Sequence, residues 1–556
     1  MRPDANIASM LPAMAATAPH RPAILFPAGR DARGKRLYSH YTFRQLDHDS
    51  DVLAAGLETL GIGRGVRTVL MVKPSLEFFA LTFAIFKAGA VPVLIDPGIG
   101  PKVLKSCIGE SLPEAFIGIP PAHAARAVLG WGRGTVKTLV TVGSKWFWGG
   151  YTLDDVRRAG RPKVASGWKM ASTQAEEVAA ILFTSGSTGV PKGAVYQHGN
   201  FMAQVEAIRR TYDIQPGEID LPTFPLFALF DPALGMTTVV PDMDFSKPAQ
   251  ADPRLLIEAI EDWGCTNMFG SPALLDSFGR YGEEHGVTLE TVRRVISAGA
   301  PVPAAVMQRV VGMLPEGALI HTPYGATESL PVASVDSDTL LGETSALTEQ
   351  GRGVCVGNPV EEADVRVIRI SDEAIETWSD DLCVPAGQIG EIVVRSPMVT
   401  REYFGRPDQT AMAKMKEPGS ATEVRHRMGD LGYFDDRGRL WFCGRKSHRL
   451  TTPSGPMFTV PCEAIFNAHP KVYRTALVGV GEPGQEKPAL CVELEKGHTG
   501  ADRAAVEAEL RELGSAHKQT RSIEKFAFHP GFPVDIRHNA KIGRPALAQW
   551  ATGQGA

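Results

Sequence analysis

The chain has little of what marks several whole classes of protein. Its seven cysteines are widely spread over 556 residues and never spaced Cys-x-x-Cys. That spacing argues against a disulfide framework or a zinc site and favours a reducing compartment. Lysine and arginine form no basic run, and the net charge is −4 at pH 7, so nothing indicates nucleic acid as a partner. We therefore expect a cytoplasmic protein that binds no nucleic acid.

Long hydrophobic runs are also missing. The best candidate for a membrane span, residues 78–95, is interrupted by Lys87 and Pro92 and fits a buried helix followed by a strand better. A signal peptide is disfavoured because Asp4 spoils the charged start and Pro12 cuts the apolar run, so we expect an ordinary first helix. The sequence predicts that this is not an integral membrane protein.

What the chain does contain is typical of a large soluble α/β protein. Hydrophobic residues make up 44% and charged residues 22%, and the length requires two or more domains. Residues from about 40 to 440 alternate short apolar runs with helical patterns, which predicts α/β architecture with largely parallel strands. Short strand signals indicate a β-rich subdomain at about 355–440. We expect an N-terminal domain at 1–446 and a small α+β domain at 447–556.

Residues 184–193 carry the strongest local signal for chemistry. Hydroxylated residues alternate with glycines there, and a lysine follows: Thr184, Ser185, Gly186, Ser187, Thr188, Gly189 and Lys192. Glycine lets the backbone approach an anion, while hydroxyls, N–H groups and an ammonium bind phosphate oxygens. Because the stretch follows an apolar run at 178–183, it predicts a phosphate-binding loop after a strand. It is not a Walker A loop, since the residues after Lys192 favour a second strand rather than a helix.

Two further segments suit a nucleotide and its metal ion. At 297–301 a Gly-Ala pair ends a predicted strand, where open α/β sheets bind ligands and a flat ring can lie against backbone. At 324–328, Tyr324 offers an aromatic face, Thr327 a hydroxyl and Glu328 a hard oxygen ligand for Mg²⁺. Each segment alone also fits an ordinary turn or an exposed loop.

The remaining candidates lie nearer the C-terminus. Asp430, interpreted as part of a glycine-flanked loop, can accept both hydroxyls of a ribose, and the guanidinium of Arg445 can bind a phosphate or sugar oxygen. A β-turn aspartate is the plainer alternative, and Lys541 alone would be a surface lysine. A G-x-G-x-x-G match at 479–484 is rejected because a strand follows it where a dinucleotide site needs a helix.

Taken together and in this order, the motifs resemble the adenylate-forming superfamily of acyl-CoA synthetases, luciferases and peptide-synthetase adenylation domains. The resemblance spans nearly the whole chain. It implies a large N-terminal domain of layered αβ sheets with a small, mobile C-terminal lid. It also implies that a carboxylate attacks the α-phosphorus of ATP, with Mg²⁺ and cations offsetting the charge.

The resemblance further implies a role for each matched residue. The loop from Thr184 to Lys192 would hold the β- and γ-phosphates of ATP. The remaining roles would be adenine binding by Gly299, Ala300, Pro301 and Tyr324, α-phosphate contact by Thr327, Mg²⁺ binding by Glu328, and ribose binding by Asp430 with Arg445 nearby. Lys541 would reach the carboxylate and the α-phosphate from the small domain.

Two departures narrow the resemblance. Ser447 stands where the superfamily usually has a hinge aspartate, and Met428 replaces the common threonine before Gly-Asp. The runs 444–455 and 93–100 resemble the olefin β-lactone synthetases of bacterial long-chain hydrocarbon biosynthesis. That resemblance implies a 2-alkyl-3-hydroxy fatty acid as substrate, closure of its acyl-AMP to a β-lactone, and a possible multienzyme assembly with other olefin-pathway enzymes.

An apolar tunnel for two alkyl chains is expected, with ordinary core packing as the alternative for each residue. The candidates to line it are Phe224, Pro225, Leu226, Phe227, Ala228, Leu229, Phe230 and Met236.

Two other functions stay open. A fatty acyl-CoA or acyl-AMP ligase would share every nucleotide-binding residue and would differ in its use of CoA. A nucleotide-binding scaffold without catalysis is disfavoured, because a mere binder has little need for Lys192, Glu328, Asp430 and Lys541 together.

Overall fold

The computed structural model describes residues 5–184, 191–482, 484–495, 497, 503–534 and 542–553. The predicted loop residues Ser185, Gly186, Ser187, Thr188 and Gly189 lie outside these ranges, as does Lys541.

The helices of the described residues are numbered in chain order. They are α1 (Met10–Thr17), α2 (Phe43–Thr59), α3 (Leu76–Lys87), α4 (Pro101–Glu110), α5 (Pro120–Leu129), α6 (Leu153–Ala165), α7 (His198–Tyr212), α8 (Pro225–Ala228), α9 (Asp231–Leu234), α10 (Pro253–Trp263), α11 (Pro272–His285), α12 (Ala304–Val311), α13 (Ser337–Thr339), α14 (Ser345–Leu347), α15 (Pro407–Ala413), α16 (Thr459–Asn467), α17 (Arg503–Ser515) and α18 (Arg544–Gly553).

The strands of the same residues follow the same numbering. They are β1 (Pro22–Arg30), β2 (Arg36–Thr42), β3 (Arg67–Met71), β4 (Val91–Leu94), β5 (Ala115–Gly118), β6 (Thr138–Thr141), β7 (Tyr151–Thr152), β8 (Val178–Thr184), β9 (Lys192–Gln197), β10 (Ile219–Pro222), β11 (Thr237–Val239), β12 (Asn267–Phe269), β13 (Arg294–Ile296), β14 (Leu319–Ala326), β15 (Ser329–Asp336), β16 (Val354–Pro359), β17 (Asp364–Ile368), β18 (Gly390–Arg395), β19 (Lys414–Lys416), β20 (Val424–Phe434), β21 (Leu440–Arg445), β22 (Leu450–Thr452), β23 (Gly455–Met457), β24 (Val472–Val480), β25 (Lys487–Leu494) and β26 (Lys525–Phe528).

Two large sheets build the chain up to β21. The first has the order β17-β18-β20-β21-β16-β15-β14-β13-β12-β10-β11-β1-β2, with β19 beside β20. The second has the order β7-β6-β5-β3-β4-β8-β9, in which every pair is parallel except β8 and β9. In the first sheet, β1–β2 and the successive pairs from β14–β15 onward are antiparallel. This antiparallel region begins at residue 319, ahead of the β-rich subdomain predicted at about 355–440, whose bounds stay a prediction.

Beyond β21 the elements are small. The hairpin β22-β23 and the sheet β24-β25-β26 pack with α16, α17 and α18 around two further apolar clusters. The predicted fold class, a mixed α/β protein with a smaller C-terminal domain of strands and helices, is confirmed. The exact boundary at 446/447 stays a prediction.

Helix α3 shows why residues 78–95 are not a membrane span. The Ser75 hydroxyl caps the helix by accepting the Phe78 N–H at 3.3 Å, and residues 78–87 are all buried. The Lys87 ammonium lies 2.6 Å from carboxylate oxygens of both Asp47 and Asp51, so its charge is compensated inside the core. Across the described ranges, no helix combines the length and apolar character that crossing a bilayer requires.

Candidate active site

The predicted phosphate-binding segment lies between β8 and β9. These strands pair antiparallel, with Thr184 opposite Lys192, so the predicted second strand after the loop is confirmed. Lys192 thus stands where the loop returns to the sheet, beside the carboxyl end of β8. Burial lowers the pKa of its ammonium, while the nearby Glu328 carboxylate opposes that shift.

A cavity of about 1800 Å³ lies at the ends of these strands. Five of the residues predicted to bind the nucleotide or Mg²⁺ line it: Lys192, Gly299, Thr327, Glu328 and Arg445. Tyr324 and Asp430 stand next to lining residues of their own strands. Ala300 and Pro301 follow Gly299 but do not line the cavity.

Asp430 lies in strand β20 rather than in a loop, which corrects the sequence interpretation. Gly429 has a φ of +68°, and the pairing of β20 with β18 shifts register between Glu391 and Val393. The glycine permits a bulge, so a polar, glycine-interrupted stretch that reads as a loop continues as a strand through the site.

Asp430 joins two other predicted residues. The Tyr324 hydroxyl donates to its Oδ2 at 2.8 Å, and an Arg445 Nη1 lies 3.1 Å from its Oδ1. Burial raises the pKa of the Asp430 carboxyl, and the Arg445 charge lowers it. The same carboxylate raises the pKa of the Arg445 guanidinium, so the guanidinium stays positively charged beside Asp430.

One oxygen of this buried carboxylate is left without a hydrogen bond. Among the described residues, no donor is aligned with Asp430 Oδ1, because the nearby guanidinium lies within ion-pair distance without hydrogen-bond geometry. A buried acceptor without a donor costs free energy unless a ligand supplies the missing hydrogen bond. The carboxylate therefore fits a ligand with hydroxyl groups, such as a ribose.

Glu328 and Lys192 are linked by a residue that the sequence analysis missed. Glu328 lies in the turn between β14 and β15, and the Tyr403 hydroxyl donates to its Oε1 at 2.5 Å. The Lys192 ammonium lies 5.0 Å from the centre of the Tyr403 ring, a cation–π distance. A single carboxylate beside phosphate-binding groups is the donor set Mg²⁺ uses when substrate phosphates complete its coordination, so the site fits that ion.

Backbone anchors hold the same turn in place. The Tyr196 hydroxyl donates to the Thr327 carbonyl oxygen, and the Thr400 N–H donates to the Glu328 carbonyl oxygen at 2.9 Å. Because Tyr196 is in β9 and Thr400 follows β18, residues from the two sheets hold the backbone of Thr327 and Glu328 in place.

His426 is a second residue that the sequence did not reveal. Its ring lines the cavity, and its Nδ1 lies 3.1 Å from the Ala413 carbonyl oxygen. Burial and the neighbouring Lys414 charge hold the pKa of the imidazole well below its usual range, so the ring is neutral. Since a carbonyl only accepts, Nδ1 carries the proton, and Nε2 is left as a hydrogen-bond acceptor. Lys414 itself is buried, which lowers the pKa of its ammonium to about 7.

The cavity also has apolar lining residues. Phe224, Pro225, Leu226 and Phe227 line it as expected. Phe227 also borders a side cavity of about 60 Å³, which Phe230 and Met236 line as well. Ala228 and Leu229 line neither space. Ser447 and Met428, the two departures noted in the sequence, both lie on the wall of the main cavity.

The fold and this cavity define a class of nucleotide-using enzyme. The chain belongs to the AMP-binding enzyme family, whose profile matches residues 11–404. It is 53% identical over 552 residues to the olefin β-lactone synthetase of Xanthomonas campestris pv. campestris, covering 99% of this chain and 98% of that protein. The olefin β-lactone synthetase of Stenotrophomonas maltophilia is 51% identical over 558 residues, covering 100% and 99%.

A solved structure shares the fold across the whole length. The amide bond synthetase McbA from Marinactinospora thermotolerans superposes with a TM-score of 0.78 at 23% identity, covering 99% of both chains. At that identity the match establishes the architecture alone. The predicted superfamily and its adenylate-forming ligase chemistry are thus confirmed by the family match and the two synthetases.

Proposed function

We propose that this enzyme adenylates a long-chain 2-alkyl-3-hydroxy fatty acid with ATP and closes the acyl-AMP to a β-lactone, releasing pyrophosphate and AMP. The observation that carries the proposal is the large cavity, whose lining contains both the charged Lys192, Glu328 and Arg445 and a set of apolar residues that includes Phe224 and Phe227. Such a cavity holds a triphosphate and an alkyl chain together. The two β-lactone synthetases at 51–53% identity support the particular product.

In the first step a carboxylate oxygen of the fatty acid attacks the α-phosphorus. The new P–O bond gives acyl-AMP, and the bond to pyrophosphate breaks. We assign the β- and γ-phosphates to Thr184, Ser185, Gly186, Ser187, Thr188, Gly189 and Lys192, adenine to Tyr324 and the Gly299–Pro301 segment, and the ribose to Asp430. Glu328 would hold Mg²⁺, which offsets phosphate charge when bound. Thr327, Arg445 and Lys541 add donors where negative charge develops.

In the second step the substrate's own 3-hydroxyl oxygen attacks the activated carbonyl carbon. The ring C–O bond forms, the bond to the AMP phosphate breaks, and the hydroxyl proton leaves to an acceptor. Because the nucleophile and the carbonyl belong to one molecule, the entropy of bringing them together has already been lost. In well-oriented cases this lowers the barrier by up to about 7–11 kcal/mol. The step needs no CoA, in keeping with a serine at position 447 instead of the usual hinge aspartate.

His426 fits the task of orienting that hydroxyl. His426 lines the cavity with a neutral ring, and its Nδ1–H donates to the Ala413 carbonyl oxygen. Nε2 can therefore accept a hydrogen bond from the substrate hydroxyl. This contact exists only for a substrate with a hydroxyl near the carboxylate. It would therefore select 3-hydroxy acids over plain fatty acids.

The experiment that tests the function supplies a synthetic 2-alkyl-3-hydroxy acid with ATP and Mg²⁺, with and without CoA. We expect β-lactone and AMP in equal amounts by mass spectrometry and chromatography, at the same rate in both reactions. The matched 3-deoxy acid is the control and should stop at acyl-AMP. A strict requirement for CoA, with a thioester product, would establish the acyl-CoA ligase alternative instead.

Replacing His426 with phenylalanine is expected to lower the rate of lactone closure about tenfold, the value of one hydrogen bond to the reacting hydroxyl. Adenylation of a plain fatty acid, measured by pyrophosphate exchange, should stay near wild type because that substrate makes no such contact. His426→Gln retains an acceptor and should recover part of the loss. Equal losses with hydroxy and plain acids would show that His426 supports only the fold.

The product also bears on partners and location. A β-lactone is a strained, reactive ester, which favours direct transfer to an enzyme that consumes it. We propose an assembly with other olefin-pathway enzymes in the cytoplasm, as the two similar synthetases suggest. All seven cysteines carry free thiols, which suits a reducing compartment. Co-purification of the tagged chain from its native host tests the assembly.

A further inference from the structure

An aromatic loop stands out on the surface of the seven-stranded sheet. Residues 142–150 connect β6 to β7, and the loop carries Trp146, Phe147 and Trp148 in succession, between Gly143 and the pair Gly149-Gly150. Trp146 is 57% exposed and Phe147 is 77% exposed. Large apolar side chains exposed side by side mark a contact surface rather than a packing accident.

Contacts within the loop and with α5 hold these two rings in place. Trp148 stacks on the buried His123 ring at 5.2 Å and 12°, and its Nε1 donates to Thr141 Oγ1 at 3.0 Å. Trp146 and Phe147 each lie 5.3 Å from the Trp148 ring, so the anchored indole supports both. The Lys145 ammonium donates to the Gly150 carbonyl oxygen at 2.9 Å, which closes the base of the loop.

The same loop borders the wall of the large cavity. His123 belongs to the first turns of α5, and the neighbouring Pro121 and Ala122 line the cavity together with Trp131. The loop leaves the carboxyl end of β6, the edge of the parallel sheet where the cavity lies. The exposed rings are therefore linked, through Trp148 and His123, to the first turn of α5, whose Pro121 and Ala122 line the cavity.

The charge around the loop favours one kind of partner. No acidic residue occurs between Glu114 and Asp154, whereas Arg126, Arg133, Lys137 and Lys145 do. Arg133 and Lys137 precede β6 and so lie toward its other end, which leaves Lys145 as the cation on the loop itself. Asp154 and Asp155, which follow β7, are each within 4 Å of an arginine of α6. Indole rings with a lysine suit the interface of a bilayer, where one end of the ring is apolar and the other is wet.

We propose that the loop of Trp146, Phe147 and Lys145 docks this enzyme on the surface of a lipid bilayer, with the cavity wall formed by Pro121, Ala122 and Trp131 facing the lipid. The docking stands on the loop alone. Its purpose, delivery of a water-insoluble acid from the bilayer, rests on the proposed function. A glycine-flanked turn that exposes two aromatic rings beside a lysine suits shallow insertion into the interface of a bilayer.

The test is flotation of the full chain with vesicles of phosphatidylcholine, with and without phosphatidylglycerol. We expect binding to both, stronger with the anionic lipid, and at least about tenfold weaker binding for W146S/F147S, because each buried ring contributes on that scale. Val128, 82% exposed near the far end of α5, gives the matched control, and Val128→Ser should bind as wild type. Brominated lipid should quench tryptophan fluorescence in the wild type and less in W146F.

The outcomes separate the two proposals. No vesicle binding by the wild type, or equal binding by W146S/F147S, would overturn the docking site. A change of oligomeric state in W146S/F147S with unchanged vesicle binding would make the loop a protein interface and also overturn it. Turnover of a short, soluble hydroxy acid should be unaffected by the substitutions, while turnover of a long-chain acid held in vesicles should fall. Vesicle binding without lactone from either acid would refute the function and leave the docking intact.

Discussion

Replacing Lys541 with alanine is expected to slow carboxylate-dependent exchange of pyrophosphate into ATP by about a hundred- to a thousand-fold. The expectation follows from its matched position in the superfamily, since the residue lies outside the described part of the chain. Carboxylate and α-phosphate are both anions, and removing one preorganised cation or donor from such a step costs about 3–4 kcal/mol. Binding of ATP should weaken far less, because the loop and Asp430 hold the rest of the nucleotide.

The exchange assay needs a control from the same domain. Lys518 is an exposed lysine outside the cavity, and Lys518→Ala should behave as wild type. Lys541→Arg tests charge against shape, and we expect it to recover only part of the rate because a guanidinium presents its donors in a fixed plane. Exchange by Lys541→Ala within a few-fold of wild type would remove this lysine from the adenylation step.

The architecture could be predicted because periodicity is a local property. Residues 76–94 show it well, since α3 and β4 follow the predicted buried helix and strand within a few residues. Both elements bury most of their side chains, so apolar patterning and burial agree. The resemblance carried by the motifs 324–328, 429–430 and 444–445 likewise implied a shared site. The structure brings Tyr324, Asp430 and Arg445 into contact.

The rest of the site depends on contacts between distant parts of the chain. Tyr403 touches Glu328 across 75 positions, and no local pattern around residue 403 suggests a site. His426 and Lys414 become distinctive only through burial, which shifts the pKa of each group and is invisible in sequence. The sequence predicts a loop at Asp430, and this is wrong. A bulge at Gly429 allows the glycine-flanked carboxylate to lie within strand β20.

A buried ion pair beside the cavity gives the second large effect, this time on stability. Glu391 and Arg427 have side chains that are each 1% exposed, with Arg427 Nη2 and Nε at 2.7 and 3.1 Å from the two Glu391 oxygens. The Lys446 ammonium lies 3.1 Å from Glu391 Oε1, so one carboxylate serves two cations. The Arg427 guanidinium also donates to the Ser371 and Glu373 carbonyl oxygens at 2.6 and 2.7 Å.

Glu391→Leu is expected to lower the free energy of unfolding by about 3–5 kcal/mol, because it leaves the buried Arg427 guanidinium without its carboxylate and also removes the partner of Lys446. Urea unfolding followed by tryptophan fluorescence measures the loss. Glu376→Ala is the matched control, since its pair with Lys416 is 80% and 69% exposed and should be worth at most about 1 kcal/mol. Glu391→Leu combined with Arg427→Leu should cost less than the sum of the single changes, because the second removes one of the stranded charges. Additive losses would mean that the two side chains stabilise the fold independently, and a loss under about 1 kcal/mol for Glu391→Leu would mean that water reaches this pair when the carboxylate is gone.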